Sequence, residues 1–202
     1  MSRIRFVFEK RGFSCFVRHV ELPQLFGRIA RRAGLQVKLT QGMSPHPHIV
    51  MGPALPVGVI SLYELAEIWF DSPAGPAEAA ERLNSQSPEG FRFLKAAAVP
   101  ADAMSLNKCI DAASYWLCLR DPAKHGAAAE TLRTALPESV LSLKQSGGEM
   151  EIVMRDPSAV GPGALVKALI AAGIISGWPD VCIARLAVGR WKAQSGTVMP
   201  LL

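Results

Sequence analysis

Apolar and polar positions alternate from Arg3 to Lys10, with Ile4, Phe6 and Phe8 on one side and Arg3, Arg5 and Glu9 on the other. That is the period of a half-buried strand. From Leu22 the period lengthens: Leu25, Phe26, Ile29 and Ala33 recur at helical spacing, leaving Gln24, Arg28, Arg31 and Arg32 mostly on the opposite side. Glu21 and Pro23 mark the start of this basic-backed helix, and Gly34 marks its end. A short second strand is expected over Val37–Thr40 and a third over Glu64–Asp71, with Ala66, Ile68 and Phe70 on one face. A helix over Pro76–Gln86 turns Ala79, Ala80 and Leu83 inward, and a strand follows over Phe91–Ala98. The order is βαββαβ.

The same order returns after a linker at about Val99–Lys108. It runs through a strand at Ala112–Arg120, a helix at Pro122–Leu136, strands at Val140–Gln145 and Glu149–Arg155, a helix at Pro162–Ala172 stopped by Gly173, and a strand at Val181–Val188. All four helices have a proline near their start (Pro23, Pro76, Pro122, Pro162), where the missing N–H costs nothing. The pattern predicts an α+β chain of two tandem ferredoxin-like units with antiparallel sheets, residues 1–98 and 109–202. The repeat is one of element order, without residue-level identity.

The two units differ in one connection. In the second, Ser146-Gly147-Gly148 makes a tight hairpin. In the first, Gln41–Ser61 fills the same place, and loops of that length in a compact domain are usually functional or disordered. Pro45, Pro47, Pro53 and Pro56 lie there among Ile49, Val50, Met51, Leu55 and Val57, so the loop reads as stiff and apolar.

Charge sharpens this picture. Residues 1–60 hold nine Lys/Arg against Glu9 and Glu21, which gives +7, whereas the remainder is −2 of the overall +5. Such asymmetry points the first unit at a polyanion such as RNA or at an acidic protein; a merely solvated basic face is the alternative. No apolar run reaches the roughly 20 residues that span a bilayer, and the N-terminus reads as a strand rather than a signal peptide, so a cytoplasmic protein without a membrane partner is expected.

Candidate chemistry concentrates in Gln41-Gly42-Met43-Ser44-Pro45-His46-Pro47-His48. Gly42 permits a turn, while Pro45 and Pro47 fix φ and push Ser44 and His46 towards extended conformations. A histidine held between two prolines suits recognition, acid–base chemistry or ligation, or it simply packs a surface loop; His48 would point to the opposite side. His19 stands before the basic helix, near its positive end, or only seats the chain there. His125 reads as surface. The four cysteines, Cys15, Cys109, Cys118 and Cys182, are scattered and look like small core residues. No close ligand pair suits zinc and no tight three-cysteine cluster suits iron–sulfur, so no metal or cofactor is expected in this chain. Glu64 and Glu67 have no partner in sequence. Phosphate loops, nucleophile elbows and H-E-x-x-H are absent, as is the glycine-flanked aromatic signature of RNA-recognition sheets.

The runs Arg3-Ile4-Arg5-Phe6, Phe16-Val17-Arg18-His19-Val20-Glu21-Leu22, Arg31-Arg32-Ala33-Gly34-Leu35, Gln41 to Pro47 and Leu55-Pro56-Val57-Gly58-Val59 resemble the bacterial radical-SAM-linked family of unknown function. The likeness covers residues 3–71, with Arg185–Gly189 fitting loosely. Arg18, Glu21 and Met43-Ser44 depart from the family's usual Ser, Asp and Phe-Asn. The resemblance implies a domain beside, or fused to, a radical-SAM protein, often one with a cobalamin-binding-like region. The iron–sulfur cluster and S-adenosylmethionine would then belong to that partner. Three functions are expected to compete. One is a non-catalytic accessory protein that presents RNA, such as tRNA or rRNA, through His19, Arg28, Arg31, Arg32, Gln41, Ser44, Pro45, His46 and Pro47. Another is a metal-independent endoribonuclease using His46 or His19, and the last is a pure protein-docking module.

Overall fold

The computed structural model describes residues 2–202, which form two compact units. The first takes in the chain up to Gly52, Ser61–Lys108 and Leu202; the second takes in Pro53–Ile60 and Cys109–Leu201.

In the first unit the elements are β1 (Ser2–Lys10), α1 (Leu22–Arg32), β2 (Ile49–Met51), β3 (Ile60–Phe70), α2 (Pro76–Gln86) and β4 (Phe91–Ala98). β1 pairs antiparallel with β3 on one side and β4 on the other, and β2 pairs with β3, so the order is β4-β1-β3-β2. This is the ferredoxin-like arrangement expected from the element order. The alternation in β1 buries Ile4, Phe6 and Phe8 against Phe26 and Ile29 of α1, Leu83 of α2, and Phe91 and Phe93 of β4. Phe8 meets Phe26 edge-on at 5.0 Å between centroids, and Phe6 meets Phe93 at 5.4 Å. Each such ring contributes about 1.5–3 kcal/mol through burial. Helix α1 stops where the sequence says it should: Gly34 takes φ +70°, and Leu35 N–H reaches back to the Ala30 carbonyl at 2.8 Å.

The second strand lies elsewhere than the sequence suggests. Val37–Thr40 makes only isolated bridges, Val37 to Phe70 and Leu39 to Pro47, and the strand beside β3 is Ile49–Met51, from within the proline loop. Pro45 and Pro47 have no N–H to give a ladder, so residues 38–48 close instead as a short hairpin. It is held by Thr40 N–H to the His46 carbonyl and His48 N–H to the Lys38 carbonyl.

In the second unit the elements are β5 (Ala112–Leu119), α3 (His125–Ala135), β6 (Val140–Ser146), β7 (Glu149–Arg155), α4 (Gly163–Ala171), β8 (Val181–Lys192) and β9 (Thr197–Pro200). Their order, β8-β5-β7-β6, repeats that of the first unit, with β9 added to β8. Buried Arg185 ties Pro53–Ile60 into this unit by donating to the Pro53 carbonyl at 2.8 Å and the Ala54 carbonyl at 2.9 Å while lying over Tyr115.

Two sequence expectations fail here. His125 is 2 % exposed rather than a surface residue. β7 begins with Glu149 opposite Cys118 and offers nothing to Leu119, and His125 Nε2 accepts the Leu119 N–H at 3.0 Å. The cysteines are also not all core residues: Cys15 is buried, Cys109 and Cys118 are half-buried and Cys182 is exposed, because residues 118 and 182 fall on the open face of the sheet. No helix of the described residues is long and apolar enough to cross a membrane.

Candidate functional site

On α1, Gln24, Gly27, Arg28 and Arg31 are spaced i, i+3, i+4 and i+7, one stripe along the helix, opposite the buried Leu22, Phe26, Ile29 and Ala30. The proline hairpin lies against this stripe. Together they wall an open cleft of about 810 Å³. Leu35, Val37, Leu39, Pro45 and Pro47 give it an apolar side, and Gln24, Arg28, Arg31, His46 and Asp71 give it a polar one. Of the residues singled out from sequence, the fold therefore brings Arg28, Arg31, Pro45, His46 and Pro47 together. Gln41 and Ser44 lie exposed at the hairpin tip, and His19 sits in the short 3-10 turn before α1; none of them lines the cleft.

Most of the basic charge of this unit is already spent. Glu67 binds both Arg3 and Arg5, Glu9 binds Arg11, Glu21 binds Arg18, and Arg32 donates to the Gln86 carbonyl at 2.9 Å. Among the described residues, no hydrogen bond or ion pair engages the side chain of Arg28 or Arg31. These two guanidiniums keep their full donor sets for a ligand.

His46 is oriented by its own hairpin. Its backbone N–H donates to Thr40 Oγ1 at 3.2 Å, and its Nδ1 lies 3.1 Å from that hydroxyl and 3.2 Å from the Ser44 carbonyl. A carbonyl only accepts, so the Ser44 contact requires a proton on Nδ1.

Gly27 sets the distance between helix and hairpin. A Cβ there would stand 2.7 Å from Pro47 Cγ and 3.2 Å from Pro47 Cβ. Alanine is the better helix former by about 0.8–1.0 kcal/mol. Even so, Gly27→Ala is expected to lower the thermal midpoint, because Pro47 must shift; a higher midpoint in a melting experiment would refute this packing.

His48 points away from the cleft, as alternation from His46 requires. It stacks flat on Trp69, 4.0 Å between centroids at an interplanar angle of 2°, and Arg3 lies over the same indole at 5.0 Å. Burial, then Lys38, Arg3 and His46, hold the His48 pKa below its usual value. The unfolded chain therefore takes up this proton more readily than the folded one. Stability is expected to be lost as pH falls below about 6.5, and His48→Gln should flatten that slope in urea titrations across the range. The sequence carries no signal for this stack, nor for Asp71 as a cleft residue. No group of three or more His, Cys, Asp or Glu among the described residues could hold a metal.

A family model of uncharacterised proteins conserved in bacteria matches residues 3–156. None of the curated proteins matches the chain. Among solved structures, the chain is similar to a microcompartments protein from Desulfitobacterium hafniense, at 12% identity over 96% of this chain and 98% of that one, with a TM-score of 0.24. It is also similar to the first two RRM domains of yeast poly(U) binding protein, at 14% identity over 90% of this chain and 98% of that one, with a TM-score of 0.23. Likeness at such TM-scores carries no weight for function.

Proposed function

The chain belongs to the bacterial family DUF2344, and on that premise we propose that it is a non-catalytic accessory protein that holds RNA in the α1–hairpin cleft and presents it to a radical-SAM enzyme. The observation that carries the RNA reading is the pair Arg28 and Arg31, unengaged and facing one cleft with His46, in a segment of charge +7. Guanidiniums neutralise phosphate, and the apolar wall of Leu39, Pro45 and Pro47 gives an unstacked base a surface to lie on. The partner reading rests on the resemblance of residues 3–71. Docking would cover the apolar side chains of Phe13, Phe16 and Val20, which are 93%, 64% and 76% exposed. They are held out on a segment fixed by Arg11 N–H to the Gly90 carbonyl and Ser14 Oγ to the Glu89 carbonyl. The iron–sulfur cluster and S-adenosylmethionine are assigned to the partner.

Fluorescence anisotropy with a labelled single-stranded RNA tests the first part. Affinity should fall steadily as salt rises from 50 to 200 mM, the signature of counterion release. Binding that ignores salt, or no binding at low salt, refutes it. Recovery of a radical-SAM protein on affinity purification from the native host tests the second part, and its absence removes the partner.

One observation favours an endoribonuclease as a second reading. His46 lines the same cleft as two arginines with its ring held through Nδ1 by the Ser44 carbonyl, and a neutral imidazole so held can take the proton of a ribose 2′-hydroxyl. RNA cleavage in the presence of a chelator that vanishes in His46→Ala would select it; intact RNA after prolonged incubation disposes of it.

A further inference from the structure

Of the three thiols of the second unit, none of which lines the cleft, two face each other across adjacent strands. Cys118 of β5 and Cys182 of β8 are direct partners in the antiparallel register, so their side chains share a face. Two residues along, Arg120 N–H donates to the Asp180 carbonyl at 2.8 Å, which makes Arg120 and Asp180 a hydrogen-bonded pair. Such pairs alternate along the ladder, so Cys118 and Cys182 form the next one. Their Cα atoms are then about 5.5 Å apart, within the roughly 4.4–6.8 Å that a disulfide spans. Both are free, Cys182 is exposed, and both open onto one shallow pocket of about 260 Å³ that also contains Arg120 and Trp116.

We infer that Cys118 and Cys182 are a dithiol site for low-molecular-weight disulfides of the glutathione type, closing reversibly to an intramolecular disulfide. The exposed Cys182 thiolate attacks one sulfur of the oxidised reagent, forming a mixed disulfide and expelling one reagent thiolate. Cys118 then loses its proton and attacks Cys182 Sγ, expelling the second. Two protein thiols give up two electrons and two protons, and the reagent disulfide is reduced to two thiols. Burial, then Glu149 and Cys182, raise the Cys118 pKa, which makes the second step the slower one and accelerates it as pH rises. Arg120 in the same pocket suits the carboxylates of glutathione.

Side-chain separation in a hydrogen-bonded pair exceeds that of a relaxed disulfide, so the closed form should reopen readily with reduced glutathione. The test is to incubate the full chain with oxidised glutathione and map the peptides by mass spectrometry without reduction. The expected product links the peptides of Cys118 and Cys182, with no glutathione retained. Cys118→Ser should stop at a stable glutathione adduct on Cys182, and Cys182→Ser should leave Cys118 largely unmodified. Both replacements keep the size of the side chain, so the fold is retained. A lasting adduct on wild-type Cys182, closure with Cys109 instead, or unreacted thiols would each overturn the site.

Discussion

Glu67→Gln should cost the first unit about 3–5 kcal/mol, read as a fall in the urea midpoint with the slope unchanged. The carboxylate of Glu67 is wholly buried. Its Oε2 accepts from Arg3 Nε and Nη2 at 3.0 and 2.7 Å, and its Oε1 accepts from Arg5 Nε and Nη2 at 2.9 and 2.7 Å. Two guanidiniums thus fork onto one anion from neighbouring positions of β1. Arg3 goes further, donating to the carbonyls of Pro100, Ala103 and Met104, so the same charge network pins the segment after β4. A glutamine keeps the shape but not the charge, and it leaves two largely buried cations facing each other. Removing an arginine instead is milder, because Arg5→Gln leaves a neutral Arg3–Glu67 pair. Glu67→Gln should therefore be the more damaging of the two by about 2 kcal/mol or more. Equal midpoints would mean that the network is solvated and contributes little.

Reversing Arg28 and Arg31 together, Arg28→Glu/Arg31→Glu, should weaken binding of a single-stranded RNA on the order of 100-fold at low salt. The slope of log affinity against log salt should also shrink by about 1.4, since each phosphate contact on a single strand contributes roughly 0.7. Both arginines lie on the cleft face of α1 and are not engaged by another residue, so the loss is electrostatic and the fold should survive. Arg32 is the control. Its guanidinium is committed to the Gln86 carbonyl, and Arg32→Glu should leave RNA affinity within about threefold of wild type while loosening α1 from α2. If all three arginines count equally, the cleft has no special role, and the unit binds RNA through diffuse charge.

The element order was legible because it depends on local rules. Period-two alternation in Arg3–Lys10, helical spacing from Leu22 to Arg32, and Pro76 and Gly34 as start and stop signals are all short-range features, and every expected element except the second strand stands within a few residues of its place. The short strand departs from its expected place for a reason that is also local: Pro45 and Pro47 on one arm of the hairpin have no N–H to donate, and the ladder beside β3 is made by Ile49–Met51. The burial of His125 is not legible in the sequence, because its partner is the Leu119 N–H left over beside the first residue of β7, and an alanine-rich helix gives no hint of that.

By itself, then, the sequence determined two βαββαβ units, the apolar faces of β1 and α1 and a basic first half, since periodicity and charge are properties of neighbours along the chain. Only the tertiary structure decided which charges remain for a ligand. Arg28, Arg31 and Arg32 look alike on a helical wheel, and Arg3, Arg5 and Glu67 lie more than sixty residues apart from partner to partner. Strand register and helix packing bring Glu67 onto two arginines and a carbonyl onto Arg32, and they leave Arg28 and Arg31 open beside His46. Ion pairing depends on distances of a few ångströms in space, and sequence separation does not report them.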